Sequence, residues 1–261
     1  MRGLHVTSLG PREAPRLVFL HGFLGTGDDW RTLADQLHAG WRIDLVDLPG
    51  HGKSTGLDAA AYTWAGCLDR LAALAEGATA LAGYSMGGRL ALGVALSGRV
   101  ALKALVVISA SPGLEGESAR TLRAQEDDRR GLALEAQGLP DFLAAWYEQP
   151  LFASLAHQPG LKRELLARRA RGDASELARA LRGFSVGRQP SGWPGVAELR
   201  MPSLWMAGAD DAAYAAVAQR AAGLSPNAAA FMVPHSGHMP HLEQPQIFRD
   251  GMRTFLDQHV E

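Results

Sequence analysis

The chain has 261 residues, a formal net charge of −1, 47% hydrophobic and 20% charged residues. This is globular composition at a length that suits one large α/β domain, with a core that needs no disulfide or metal staple. The near-zero charge balance gives no pull toward nucleic acid or an anionic membrane, and a single cysteine, Cys67, excludes an internal disulfide.

Cys67 lies in an apolar-periodic stretch and reads as a buried helix residue rather than a catalytic thiol. The opening MRGLHVTSLGPREAPR has no apolar h-region and no small-residue cleavage site, and no apolar run is long enough for a bilayer. A reduced, cytoplasmic location is the expectation, with no membrane and no nucleic-acid partner.

In chain order, an antiparallel edge strand is predicted over 4–9, then strands over 16–20, 42–46, 78–82, 104–108, 203–207 and 229–233. Runs rich in Val, Ile and Leu with no polar alternation fit a parallel sheet covered on both faces. Helical periodicity between them covers 32–37, 64–74, 87–96 and 212–222. Strand–helix alternation predicts a doubly wound α/β domain. From about Ser111 to Pro190 strands disappear, and helices are predicted over 119–136, 139–148, 162–170 and 175–182. The expected organisation is therefore an α/β core over 1–110 and 191–261, with a helical cap over 111–190 lying across the carboxyl ends of the strands, where ligands bind in such sheets.

The strongest local signal is Gly83-Tyr84-Ser85-Met86-Gly87, between the strand ATALA and the helix GRLALGVAL. This is the strand–turn–helix context of a nucleophile elbow. The tight turn needs small neighbours, lifts the Ser85 hydroxyl above the sheet, and leaves the Met86 N–H free at a helix N-terminus to bind an oxyanion. His21-Gly22-Phe23, after the strand RLVFL, points to Phe23 N–H as the second oxyanion donor. Asp211 follows the strand SLWMA and His238 follows AAAFMV, so the order is Ser, Asp, His. In this reading His238 takes a proton from Ser85, and Asp211 holds the imidazole tautomer and stabilises its charge. Asp210 is the rival acid; the G-x-x-D spacing from Gly208 favours Asp211.

Two motifs imitate other chemistries. His235, His238 and His241 form H-x-x-H-x-x-H, but Pro234 and Pro240 keep them off one helix face and no H-E-x-x-H is present, so no metal is expected. Gly52-Lys53-Ser54-Thr55 ends like a phosphate-binding loop, but its leading glycine is replaced by Asp47. No cofactor is called for. The cations are almost all arginine, the lysines being Lys53, Lys103 and Lys162, and eleven arginines fall within 111–190 beside as many carboxylates. Arginine grips carboxylates bidentately, so such a cap suits an acidic ligand, although a solvated helix face has the same composition. Arg89 differs because it lies one turn into the helix that Ser85 opens.

The segments LVFLHGFLGTGDDW, LVDLPGHGKS, AGYSMGGRLAL, LWMAGADD and SGHMPHLEQP resemble the α/β-hydrolase superfamily over the whole chain. GYSMGGR, SASPGL, WYEQPLFASL and the Gly187–Ser191 G-x-QPS element resemble more closely the family of 2-succinyl-6-hydroxy-2,4-cyclohexadiene-1-carboxylate synthases of menaquinone biosynthesis. The resemblance implies a lyase that eliminates pyruvate from a succinyl-hydroxycyclohexene polycarboxylate, with Ser85 activated by His238 as the base. It implies substrate contacts from His21, Tyr84, Arg89, Arg123, Trp146 and Arg169, with Arg120 and Arg168 as rivals for two of them. A monomer or small homo-oligomer binding a small polycarboxylate is expected. The competing readings are a serine hydrolase (esterase, thioesterase or C–C bond hydrolase) that acylates Ser85, and a non-catalytic binding module on the same scaffold.

Overall fold

A computed structural model describes residues 3–260. Its elements are β1 (Val6–Leu9), β2 (Arg16–Leu20), α1 (Arg31–Leu37), β3 (Arg42–Val46), α2 (Trp64–Leu74), β4 (Ala80–Tyr84), α3 (Met86–Leu96), β5 (Ala104–Ile108), α4 (Glu117–Gln137), α5 (Leu139–Tyr147), α6 (Pro159–Arg169), α7 (Ala174–Gly183), α8 (Trp193–Val196), β6 (Ser203–Gly208), α9 (Ala212–Leu224), β7 (Ala228–Val233), α10 (Pro240–Glu243) and α11 (Pro245–His259). Short 3-10 segments occupy Gly27–Trp30, Ala59–Tyr62 and Pro150–His157.

The seven strands form one sheet in the order β1-β3-β2-β4-β5-β6-β7. Only β1 runs antiparallel, pairing Val6 with Val46 on β3. The pleat sends successive β2 residues to opposite faces. Leu17 and Phe19 enter a core with α1, α11 and the apolar sides of α5 and α7. Val18 and Leu20 enter a second core with α2, α3, α8 and α9. Burial on both faces explains the unbroken apolar runs, and β4, β5 and β6 are buried at every position. Cys67 is fully buried on α2, and burial pushes its thiol pKa far up.

The strand expected over 78–82 lies at Ala80–Tyr84. Extended backbone continues through Gly83 and Tyr84, because the turn is taken at Ser85 itself. Helix α11, the Pro150–His157 segment and α10 were not singled out by the sequence pattern. Between β5 and β6 the described chain holds helices and no strand. Part of this stretch leans over the carboxyl end of the sheet: Phe142 and Trp146 of α5 meet Phe23, and Phe152 meets His238. Among the described residues, no helix is long and apolar enough to cross a membrane.

Candidate active site

Ser85 sits at φ 50°, ψ −110°, a conformation that L-residues adopt only when their surroundings force it. Its N–H is held by the Ile108 carbonyl at 2.8 Å, which fixes the turn to the neighbouring strand. The flanking glycines are steric requirements. A Cβ on Gly83 would lie on the Gly87 carbonyl oxygen, and one on Gly87 would meet the His21 and Leu20 carbonyl oxygens at 2.5 Å. The result is a half-buried hydroxyl at the carboxyl end of β4, above the start of α3.

His238 reaches it from the loop after β7. Its Nε2 lies 3.2 Å from Ser85 Oγ, and its Nδ1 donates to Asp211 Oδ2 at 2.7 Å. Asp211 is buried at the N-cap of α9, where its other oxygen accepts the Tyr214 N–H at 3.3 Å. Asp210 is exposed. Of the two rival acids, the fold therefore brings Asp211 to the imidazole. Glu243, which the sequence reading assigned no role, braces this loop: its carboxylate accepts the Gly237 N–H and the Met239 N–H, each at 2.9 Å, on either side of His238. The signal that could have found it is an acid in the first turn behind Pro240, where free N–H groups gather.

The N–H groups of Phe23 and Met86 have no protein acceptor among the described residues, as an oxyanion site requires. The Phe23 loop is pinned by a reciprocal pair of histidines. His21 Nδ1 donates to the Gly22 carbonyl (2.8 Å) and its Nε2 accepts the Leu48 N–H (2.9 Å). His51 Nδ1 donates to the Pro49 carbonyl (3.0 Å) and its Nε2 accepts the Leu24 N–H (3.1 Å). Each loop thus lends one imidazole to the other's backbone. Both rings are buried and their pKa values are pushed down, chiefly by that burial, so both stay neutral. His21, expected among the substrate contacts, has both ring nitrogens spent on backbone and is part of the frame. The phosphate-loop look-alike is organised around an anion of its own: Asp47 accepts the Gly27 and Lys53 N–H groups, each at 2.8 Å.

Arg89 projects from the first turn of α3. Its Nη1 donates to Gln189 Oε1 (2.8 Å) and its Nη2 to the Phe184 carbonyl (2.7 Å). Gln189 is itself fixed by the Pro112 carbonyl at 2.9 Å. Burial first, and then the Arg123 charge, lower the Arg89 pKa to about 10, so it remains a cation at neutral pH. Arg123 is exposed, and its Nε donates to both oxygens of buried Asp127 at 3.0 Å, whereas Arg120 has no ion pair among the described residues. Trp146 stacks on Phe142 (5.4 Å between centroids) and meets Phe23 edge-on (5.1 Å). Tyr84 is buried against His238 and His241. Arg169 is not offered to the site with free nitrogens. It is buried in a bidentate pair with Asp29 (2.7 and 2.6 Å), its Nε is 3.5 Å from the Tyr147 hydroxyl, and Arg168 shares the same carboxylate at 3.2 Å.

The three histidines of the zinc-like pattern have separate fates: His235 is exposed, His238 joins Asp211, and His241 is buried between Trp30 and Tyr84. Among the described residues, no group of three or more His, Cys, Asp or Glu is placed to hold a metal ion.

Residues 17–250 match the alpha/beta hydrolase family. The 2-succinyl-6-hydroxy-2,4-cyclohexadiene-1-carboxylate synthase of Salmonella agona is 33% identical over 249 residues, covering 95% of this chain and 96% of its own. Protein PHYLLO, chloroplastic, of Arabidopsis thaliana is 31% identical over 94% of this chain, which matches 15% of that longer protein. Among solved structures, MenH from S. aureus superposes with a TM-score of 0.93 over 100% of both chains at 28% identity. A thermophilic esterase from Thermogutta terrifontis, at 21% identity and a TM-score of 0.84 over 98% of this chain and 94% of its own, shares the fold. An elbow serine hydrogen-bonded to a histidine and aspartate on the loops after β7 and β6, across this whole length of likeness, makes the chain a member of the alpha/beta hydrolase family, similar within it to the 2-succinyl-6-hydroxy-2,4-cyclohexadiene-1-carboxylate synthases.

Proposed function

We propose that the protein is a carbon–oxygen lyase of menaquinone biosynthesis that eliminates pyruvate from a succinyl-hydroxycyclohexene polycarboxylate, giving 2-succinyl-6-hydroxy-2,4-cyclohexadiene-1-carboxylate. The observation that carries this reading is a triad serine one helical turn from a guanidinium held in place by protein acceptors, in a chain so similar to synthases of that name. An esterase needs the triad but has no call for a cation fixed beside it. Anionic substrate groups do.

In this mechanism His238 accepts the Ser85 proton as the serine oxygen removes a proton from the ring. The C–H electron pair becomes a new ring double bond through an enolate-like intermediate, and the C–O bond to the leaving group breaks with its pair on oxygen. Pyruvate leaves as its enolate and takes up a proton, for which the His238 imidazolium is the source. The Phe23 and Met86 N–H groups hold the developing oxyanion, each such donor contributing about 2.7–4 kcal/mol to the transition state. Asp211 holds the imidazole and stabilises its charge; Arg89 and Arg123 anchor carboxylates; Tyr84 and Trp146 wall the ring. We read 111–190 as a cap that excludes water, with Arg169 as a strut tying it to the core through Asp29 rather than as a ligand contact.

The test is to supply the succinyl-enolpyruvyl-cyclohexene substrate and to follow pyruvate release beside the turnover of short acyl esters. Release of pyruvate, blocked in Ser85→Ala and His238→Ala, is expected. Efficient ester hydrolysis without pyruvate release would replace this reading with that of a serine hydrolase.

A further inference from the structure

Tyr214 carries no motif, yet three of its groups meet the site. It lies in the first turn of α9, directly behind Asp211, and its backbone N–H binds the Asp211 carboxylate. Its ring packs on the His238 imidazole with centroids 4.6 Å apart, tilted 56°. Its hydroxyl has no hydrogen-bond partner among the described residues, and it is not among the side-chain atoms sealed from solvent without one. Ser85 joins this ring to Arg89: its hydroxyl lies 3.2 Å from the His238 Nε2 on whose imidazole Tyr214 packs, and its carbonyl accepts the Arg89 N–H at 3.0 Å, while the charges of Arg89 and Arg123 both act on the phenol. Burial raises the phenol pKa more strongly than the two cations lower it. At neutral pH the group is a neutral donor.

The donors gathered here exceed the acceptors. Arg89 spends two of its N–H groups on Gln189 and Phe184, and a guanidinium carries about five, so the remainder have no acceptor among the described residues. The nearby carboxylates are engaged: Asp127 by Arg123, Arg130 and Ser185, and Asp211 by His238 and the Tyr214 N–H. A ligand that satisfies an open phenol and an open guanidinium together must bring an acceptor with several lone pairs. A carboxylate does so with two charged oxygens, giving each donor its own charge-assisted bond, whereas an ester carbonyl or a neutral hydroxyl must share one uncharged oxygen between them.

We infer that the Tyr214 hydroxyl is a specificity-determining contact that hydrogen-bonds the substrate carboxylate engaged by Arg89, an assignment that rests on the polycarboxylate-lyase reading of the site. The ring and the hydroxyl then have separable duties. The ring steadies the His238 imidazole, and the hydroxyl selects an anionic substrate.

Two substitutions separate these duties. Tyr214→Phe keeps the ring and deletes the oxygen; Tyr214→Ala deletes both. A hydrogen bond to a charged group is worth enough to change affinity by about 10- to 100-fold. Calorimetric titration with tricarballylate, a small tricarboxylate, should show that loss in Tyr214→Phe relative to the unaltered protein. In pyruvate release the same variant should show a KM raised by a similar factor with kcat unchanged, and Tyr214→Ala should lose kcat as well. Tricarballylate binding and KM unchanged in Tyr214→Phe would overturn the contact, and so would a fall in kcat at constant KM. If the unaltered protein binds tricarballylate but releases no pyruvate, the lyase reading fails and the titration alone decides the Tyr214 contact.

Discussion

Ser85, His238 and Asp211 form a continuous chain of contacts, but the residues that hold the chain in shape respond differently to substitution. Asp211→Asn keeps an acceptor oxygen yet presents an N–H₂ either to the Tyr214 N–H, a donor–donor clash, or to His238 Nδ1, which reverses that hydrogen bond and favours the wrong imidazole tautomer. A loss of about 10²- to 10⁴-fold in kcat is expected, measured as pyruvate release. The exposed neighbour Asp210→Asn should leave turnover intact. Glu243→Gln is the sharper test of loop bracing. The carboxylate accepts two N–H groups with two oxygens, and glutamine offers one oxygen and one donor, so one bond becomes a donor–donor clash. A fall in kcat with little loss of global stability is expected, read from kinetics beside denaturant unfolding; an unchanged kcat would remove Glu243 from the machinery that positions His238. The triad was legible in the sequence because each member closes a strand in a recognisable loop. Gln189 and Asp29 were not, because their partners lie far along the chain: Gln189 holds Arg89 across 100 positions and Asp29 holds Arg169 across 140. Glu243 is near its partners Gly237 and Met239 in sequence, but a lone acid carries no motif.

At the scale of elements, the strand–turn–helix β4–Ser85–α3 depends on what glycine lacks. A Cβ at Gly87 would meet two backbone carbonyl oxygens, that of Leu20 at the end of β2 and that of His21 just beyond it, neither of which can rotate away. Gly87→Ala should therefore cost more than about 3 kcal/mol or abolish folding, measured by chemical denaturation, in contrast to Gly98→Ala, whose Cβ meets nothing and is opposed only by its positive φ. The helix α6 is tied down by a different device. Arg169 and Asp29 are both buried and pair bidentately, so removing only the carboxylate leaves a desolvated cation. Asp29→Ala is expected to cost about 3–5 kcal/mol, and combining it with Arg169→Leu should cost much less than the two single losses added together. Additive losses in that cycle would show that the pair does not couple α6 to the Gly27–Trp30 turn. Element types and order were readable because parallel strands buried on both faces give unbroken apolar runs, and helices between them give a 3.6-residue period. The end of β4 was not, since nothing in the pattern says that a glycine-containing pair remains extended until the serine.

For the whole molecule, acid sensitivity follows from how the site is framed. His21, His51 and His241 are all buried with pKa values pushed down, His241 to about 3, and in each the largest cause is loss of water around the charged form. In the unfolded chain these rings titrate near 6.5. Below that pH the unfolded state binds protons that the folded state refuses, so stability is fully present above about pH 6.5 and falls as the pH drops, up to about 1.4 kcal/mol per pH unit for each ring. Asp29 adds a separate loss at lower pH. The charge of Arg169 holds its carboxyl below 3.8 against the opposing effect of burial, so its contribution stands above that value and disappears beneath it. Urea midpoints measured from pH 8 to 5 should therefore decline with a slope greater than one histidine can give. Activity should fail together with stability, because protonating His21 or His51 destroys the acceptor for Leu48 or Leu24 and releases the loop that carries the Phe23 N–H. His51→Gln, whose amide oxygen keeps an acceptor and does not titrate, should flatten the slope in proportion to the one ring removed. A midpoint constant across that range would mean that these imidazoles are protonated in the folded protein, and the reciprocal pinning of the two loops could not then stand as drawn.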